Sequence, residues 1–209
     1  VTVNPVPIAS ITPLGSTTIC FGDSLELDGG NHSHYVWSTG DTTRSITVKV
    51  GGKFWLQVTN SFGCSDSDTI TTVLGPVLNP QIALSGSPIL CIGDTLVLNA
   101  GLYPSYNWST GDTTQTIKVA VGGSYWVQVG VPIGCSGSDT VDITVVNLPT
   151  PSILPLGPTD FCDRDSVTFD ADSYSRYLWS TGDTTRFLTV DSAGQFIVTV
   201  TDVNNCQAS

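Results

Sequence analysis

The feature that most constrains this chain is a repeat of constant length that runs from end to end without insertion or deletion. Cys20, Cys91 and Cys162 stand one period apart, and so do Cys64, Cys135 and Cys206. The run Trp37-Ser38-Thr39-Gly40-Asp41-Thr42-Thr43 returns unchanged at Trp108 to Thr114 and at Trp179 to Thr185. Self-similarity at a fixed period marks a tandem array. A period this long exceeds a solenoid turn and suits a small all-β domain of six or seven strands. The boundaries that follow are 7–77, 78–148 and 149–209 for three repeats, with 1–6 as the last strand of a preceding repeat, because Val1-Thr2-Val3 aligns with Thr72-Val73-Leu74 and with Ile143-Thr144-Val145. Ser209 aligns with Ser67 and Ser138, so the third repeat is expected to lack its closing strand, as in a window cut from a longer array. A further expectation is that the first strand of one copy completes the last domain of its neighbour by strand addition.

Composition agrees with strands and turns rather than helices. The chain has 21 Gly, 12 Pro, no Met and only 12% charged residues, with Val, Thr and Ser abundant, the vocabulary of pleated strands and tight turns. Eighteen acidic residues against seven basic ones leave a net charge of −11. That charge repels a phosphate backbone, and the scattered cations form no basic patch, so nucleic acid is excluded as a partner. No apolar run approaches the roughly 20 residues of a membrane-spanning helix, so no membrane insertion is expected.

Period-two alternation between turn residues places the strands of each repeat. In the first, Leu25 and Leu27, Tyr35 to Trp37, Ile46 and Val48, the long run Phe54, Leu56 and Val58, and a closing strand at Thr69 to Val73 alternate inward. The second repeats them with Leu96 and Leu98, Trp108, Ile117 and Val119, Tyr125, Val127 and Val129, and Val141 to Val145. The third does so with Val167 and Phe169, Trp179, Leu188 and Val190, and Phe196, Val198 and Val200.

Three features carry a resemblance: the Tyr two positions before each Trp (Tyr35, Tyr106, Tyr177), the Trp-x-x-Gly-Asp turn, and the Gly-x-Phe/Tyr-x-Val-x-Val strand. In them the whole chain resembles the polycystic-kidney-disease-type (PKD-like) and related immunoglobulin-like repeats of large secreted surface proteins of Bacteroidota, gliding-associated adhesins and filaments among them. The resemblance implies tandem immunoglobulin-like β-sandwiches in an extended rod, joined by short proline-bearing links at Pro5 to Pro7, Pro76 to Pro80 and Pro149 to Pro151. The third copy departs from the pattern, with Asp163-Arg164-Asp165 where the others have a Gly before the Asp.

Cysteine pairing is then expected within each repeat: Cys20 with Cys64, Cys91 with Cys135, and Cys162 with Cys206. Closing a loop of that length is worth on the order of 4 kcal/mol in the chain-entropy model. Three such bonds imply an oxidising, extracellular compartment. Isolated cysteines this far apart lack metal-site spacing.

The tryptophans divide by strand parity. Trp37, Trp108 and Trp179 belong to the core, packed on a disulfide or the opposing sheet. Trp55 and Trp126 alternate with inward residues and should face outward, where packing between domains is the plainer role and stacking on surface polysaccharide the sharper one. Ile197 takes that position in the third repeat. The recurring Asp23, Asp94 and Asp165, and Asp41, Asp112 and Asp183, suit Asx capping of turns. No Asp-x-Asp-x-Asp-Gly loop is present; if calcium binds, it is expected in the third repeat among Asp160, Asp163, Asp165, Asp170 and Asp172. No other cofactor is expected.

Asp followed by Ser or Thr resembles the O-glycosylation acceptor pattern of Bacteroidota. It occurs at Ser24, Thr42, Thr69, Thr95, Thr113, Thr140, Ser166, Thr184 and Ser192, with Thr42, Thr113 and Thr184 leading. His32 and His34 form the single His pair and read as loop decoration. No catalytic triad, unique carboxylate pair or phosphate loop can be assembled. The reading is a non-catalytic stalk or filament segment at the cell surface, whose partners are neighbouring copies. The alternative is a carbohydrate-binding module of a secreted polysaccharide-degrading protein.

Overall fold

The computed structural model describes all residues from Val1 to Ser209, and every regular element in it is a β-strand. The first repeat comprises β1 (Thr12–Pro13), β2 (Thr18–Ile19), β3 (Leu25–Asp28), β4 (His34–Trp37), β5 (Ser45–Val48), β6 (Gly52–Thr59) and β7 (Ser65–Leu74). They form two sheets, β1-β3-β5 and β2-β7-β6-β4. The opening segment divides between them: β1 runs antiparallel to β3, whereas β2 crosses over and runs parallel to β7, pairing Thr18 with Val73 and Ile19 with Leu74. All other ladders of this repeat are antiparallel. This division of the first strand between two facing sheets, antiparallel but for the β2–β7 pair, is an immunoglobulin-like sandwich.

Alternation along each strand decides what lies between the sheets. Leu25, Leu27, Ile46 and Val48 from one sheet meet Ile19, Trp37, Phe54, Leu56 and Val58 from the other in a single apolar cluster. Each fully buried aliphatic side chain of this kind contributes about 1.5–3 kcal/mol. Trp37 is 1% exposed and its indole N–H donates to the Thr43 carbonyl at 2.8 Å, so its one polar atom is satisfied inside the core.

The second repeat carries β8 (Ala83–Leu84), β9 (Ile89–Cys91), β10 (Leu96–Asn99), β11 (Ser105–Trp108), β12 (Thr116–Val119), β13 (Gly123–Gly130) and β14 (Ser136–Val146), in the same two sheet orders, β12-β10-β8 and β11-β13-β14-β9. The third carries β15 (Leu154–Pro155), β16 (Val167–Asp170), β17 (Arg176–Trp179), β18 (Phe187–Val190), β19 (Val198–Thr201) and β20 (Gln207–Ala208), in the sheets β15-β16-β18 and β17-β19-β20. Its core gathers Val167, Ala171, Trp179, Leu188, Val190, Val198 and Val200. Residues 1–11 form no strand; the carboxylates of Asp66 and Asp68 on β7 accept the backbone N–H groups of Ala9 and Ile11 at 2.8 and 2.7 Å.

By compactness the chain falls into two units. One is Val1–Gln81 with Leu102–Thr113 and Val127–Asp139; the other is Ile82–Gly101 with Thr114–Trp126 and Thr140–Ser209. The first unit holds the whole of repeat one, the second the whole of repeat three, and segments of the middle repeat belong to both.

The cysteines do not pair within repeats. Cys20 is bonded to Cys135 and Cys91 to Cys206, each bridging 115 residues, while Cys64 and Cys162 are free thiols. This corrects the pairing of Cys20 with Cys64, Cys91 with Cys135 and Cys162 with Cys206. The reason is the length of one strand. Cys20 follows Ile19, which pairs with Leu74 at the end of β7, whereas Cys64 immediately precedes Ser65 at its start. Ten residues of extended chain separate them by roughly 30 Å, against the 4.4–6.8 Å between Cα atoms that a disulfide requires. The middle repeat is built alike: Cys91 pairs with Val146 at the end of β14, and Cys135 precedes its start.

Candidate functional site

Two local structures make each disulfide. The first is the turn after the opening segment. In it the Asp23 N–H donates to the Cys20 carbonyl at 3.0 Å, with Gly22 at φ 90°. Asp94 on Cys91 and Asp165 on Cys162 form the same 3.0 Å bond, with Gly93 at φ 96° and Arg164 at φ 78°. The third repeat therefore keeps the turn despite losing its glycine, and places an arginine in the left-handed region, where a side chain costs about 1–2 kcal/mol.

The second structure is the hairpin between the two longest strands. Asn60 donates from its N–H to the Cys64 carbonyl at 3.1 Å, and its side-chain oxygen accepts the N–H groups of Phe62 and Cys64, both at 3.0 Å. Asp202 repeats this around Cys206, accepting from Asn204 and Cys206 at 2.8 Å. Val131 and Cys135 form the corresponding backbone bond at 3.0 Å. Such Asx-type closures hold the cysteine at a hairpin tip independently of its bonding state.

Within the first unit the hairpin of repeat two lies against the Cys20 turn. Ile133 and Gly134 line a groove with Leu14, Thr18, Ile19, Cys20 and Leu25. A Cβ on Gly75 would run into the Sγ of Cys135 and come within 3.7 Å of Ile133 Cδ1. Within the second unit Asn204 and Asn205 stand in the same relation to Ser87, Ile89 and Cys91. The Cα atoms of the two bonded pairs are 5.4 and 5.6 Å apart.

The Trp-x-x-Gly-Asp motif is a turn locked from both sides. Trp37 N–H donates to the Asp41 carbonyl, and Gly40 N–H to that of Trp37, both at 2.9 Å, with Gly40 at φ 89°. The Asp41 carboxylate accepts the Thr39 hydroxyl at 2.7 Å, as Asp112 does from Thr110 and Asp183 from Thr181. The repeated aspartates of the motif thus face their own turn. Thr42, Thr113 and Thr184 project from it and are exposed, and Ser24, Thr69, Thr95, Thr140, Ser166 and Ser192 are exposed as well. Trp55 and Trp126 are 44% and 41% exposed on the outer faces of β6 and β13, and Ile197 is exposed at the equivalent position. His32 packs edge-on against Tyr35, and His34 is exposed at the start of β4. No group of three His, Cys, Asp or Glu is arranged to hold a metal ion.

An ion pair that the sequence reading missed braces the outer repeats. Arg44 grips Asp28 through two hydrogen bonds of 2.9 Å, and Arg186 grips Asp170 at 2.6 and 2.8 Å. The guanidinium beside each carboxyl holds it below the usual carboxylate range, helped by the N–H of Gly30 or Asp172. In the middle repeat the same two positions carry Asn99 and Gln115, joined at 3.2 Å without charge. The signal was present in the sequence as an Asp and an Arg at fixed phase in two repeats. Asp66 is also held low, by the N–H groups of Ala9 and Ser67.

No protein-family model matches the chain, and no curated protein matches it. Among solved structures it is similar to a 1.5-MDa bacterial ice-binding adhesin, at 16% identity over 98% of this chain and 96% of the other, with a TM-score of 0.40. A calcium-stabilised ice-binding adhesin of an Antarctic bacterium is similar at 12% identity over 98% and 72%, TM-score 0.40. Murine CEACAM1b is similar at 9% identity over 66% and 100%, TM-score 0.33.

Proposed function

We propose that this chain is a non-catalytic, load-bearing segment of an extracellular adhesin stalk or filament. The observation that carries the reading is the pair of disulfides that join one repeat to the next instead of closing each repeat on itself. Such bonds belong to an oxidising compartment, and they limit how far the chain lengthens when a module opens. The same turn, hairpin and core occur three times, an arrangement suited to spacing rather than to one special chemical place. The likeness of the repeat to PKD-like modules of surface adhesins supports the same reading. Antibodies raised against the folded chain test it: they should label surface structures on intact cells of the source organism, and deleting the protein should weaken attachment. Labelling only after permeabilisation, or unchanged attachment, would refute it.

One observation favours a second role on the same scaffold. Trp55 and Trp126 are exposed at equivalent positions of their strands, and an exposed indole is a side chain suited to stacking on a sugar ring. Retention on surface polysaccharide that disappears in the Trp55→Ala, Trp126→Ala double variant, with the fold unchanged, would establish polysaccharide binding; retention equal to that of wild type would leave the stalk reading alone. The exposed Thr42, Thr113 and Thr184 are the proposed O-glycan acceptors, tested by glycopeptide mass spectrometry of protein from its source.

A further inference from the structure

We propose that the cavity beside the Cys91–Cys206 bond is a binding site for a neutral sugar, a pyranose unit held by its hydroxyl groups. The cavity lies within the second compact unit, and neither Trp55 nor Trp126 lines it, so the proposal does not depend on the polysaccharide reading of those two residues.

Each disulfide has a cavity beside it, and the two are built from the same positions of the repeat. The one beside Cys20 holds about 240 Å³ and the one beside Cys91 about 520 Å³. Pockets that take small molecules run from roughly 300 to 1,000 Å³, so the second has the size of a site and the first does not.

The residues that differ between the two cavities set the chemistry. Leu14, Ile133 and Gly134 of the first give way to Ser85, Asn204 and Asn205 in the second, and each change adds a hydrogen-bonding side chain. Thr18 gives way to Ile89, which extends an apolar wall already made by Leu90 and Leu96. The staple does not require these changes, because Cys20 and Cys135 form the same bond without them. Asn205 holds a left-handed φ of 66° where the hairpins of the other two repeats use Gly63 and Gly134. A side chain kept where glycine is the easier residue points to a use for that side chain.

Hydrogen-bonding capacity is left over in this cavity. The side chains of Asp94, Thr95 and Asn205 have no partner within the protein, and the Asn204 amide reaches only Asp202, at 3.5 Å. Ser85 and Ser87 accept the N–H groups of Val97 and Ile89 and keep their own O–H groups to donate. No Lys, Arg or His lines the cavity, and the Asp94 carboxylate repels an anion, which removes phosphate, sulfate and uronate ligands. The lining has no aromatic ring on which a planar base could stack. A single carboxylate does not make a cation site, and no group of three His, Cys, Asp or Glu is arranged to hold one. A neutral pyranose matches what remains: its hydroxyls both donate and accept, and its C–H face suits the wall of Ile89, Leu90 and Leu96.

The test uses the full chain and the methyl glycosides of glucose, galactose, mannose and N-acetylglucosamine, read as changes in backbone amide NMR shifts. At least one glycoside should give saturable shifts at Asn204, Asn205 and Asp94 to Leu96, with none at the counterparts Ile133, Gly134 and Asp23 to Leu25. The variant Asn204→Ile, Asn205→Gly installs the residues of the first cavity, which the protein already accommodates beside a closed staple. It should keep the Cys91–Cys206 bond, read as two titratable thiols, and bind at least about tenfold more weakly, the loss expected from removing two hydrogen-bonding side chains. Trp55→Ala with Trp126→Ala should leave these shifts unchanged. Absence of saturable shifts with all four glycosides would overturn the proposal, as would a folded Asn204→Ile, Asn205→Gly variant that binds like wild type, or glycerol giving the same shifts at the same concentration. Shifts confined to the surroundings of Trp55 and Trp126 would overturn it too, while leaving the polysaccharide reading of those residues standing.

Discussion

Staples between repeats limit how far the protein can be stretched, and the limit follows from the pairing. With handles at Val1 and Ser209 and with Cys64 and Cys162 alkylated, tension follows the shortest covalent path. That path runs from Val1 to Cys20, across to Cys135, back along the chain to Cys91, across to Cys206 and on to Ser209. It contains roughly 66 backbone steps in place of 208, so full extension is about 240 Å oxidised and about 750 Å reduced, at about 3.6 Å per residue. Removing either staple lengthens the path equally, because both obey one register: Cys20→Ser and Cys91→Ser should each extend to about 330 Å, roughly 93 steps. Bonds within each repeat would instead give about 430 Å, roughly 120 steps, for either variant. Single-molecule force spectroscopy reads these contour lengths directly. Oxidised protein extending well past the doubly stapled length below the force that breaks a disulfide would refute the reasoning, as would single variants that reach the length expected for bonds within repeats.

Three further outcomes follow from packing and charge. A Cβ on Gly29 would meet Leu56 Cδ2 at 2.6 Å and the Arg44 carbonyl oxygen at 3.0 Å, whereas repeat three places Ala171 and Val198 at these two positions in one core. Gly29→Ala should therefore cost about 1–3 kcal/mol by overpacking and Leu56→Val about 1 kcal/mol by underpacking. The double variant should recover much of both, which a denaturant double-mutant cycle measures as a favourable coupling of about 1–2 kcal/mol. Arg164→Gly relieves the left-handed arginine in the Cys162 turn and should stabilise repeat three by up to about 1 kcal/mol, less the entropy that glycine adds to the unfolded chain; a lowered melting temperature would contradict the assignment of strain. Asp28 and Asp170 lie below the ordinary carboxylate value of 3.8 in the folded protein. Their stabilising contribution is thus fully present above the ordinary value and is lost as pH falls through the lower folded value. Acid unfolding followed between pH 5 and pH 2, a window on the order of the carboxylate range, should lose part of its pH dependence when Asp28→Asn, Arg44→Gln and Asp170→Asn, Arg186→Gln install the uncharged pair of the middle repeat. An unchanged pH slope would show that these carboxylates do not couple to folding.

Much of the fold was legible because strand parity and core burial are the same physical fact. Leu25, Leu27, Ile46, Val48, Phe54, Leu56 and Val58 are buried as their alternation with polar neighbours predicts, and the Trp turn returns wherever its seven residues return. The opening segment was not legible, since β1 and β2 are two residues each and carry too few positions for a period to show. Its crossing between sheets is what places Cys20 beside Leu74, and with that crossing unseen the pairing within a repeat looked natural. The exposed positions of Trp55 and Trp126 follow from parity, but what they contact does not, because a period says which way a side chain points and nothing about what lies beyond it.

The disulfides also give a physical reason for a repeat length that does not vary. A bond confined to one repeat tolerates any change in the link to the next. A bond from Cys20 to Cys135 closes only if the hairpin around Cys135 returns to the end of β7, where Gly75 leaves room for its sulfur. Residues inserted between Leu74 and Ile89, or anywhere that displaces the hairpin, would carry Cys135 out of the few ångströms in which the bond can form. Surface loops ordinarily accept insertions at little cost in closure entropy, yet the cysteine pattern here keeps the same spacing at both of its steps. An insertion of four Gly-Ser residues after Leu78 tests the point: each sandwich keeps its core and should still fold, while the Cys20–Cys135 bond should be lost to thiol titration. Two titratable thiols, as in the parent chain, would show that the period is free of the staple; four would show that the staple holds it.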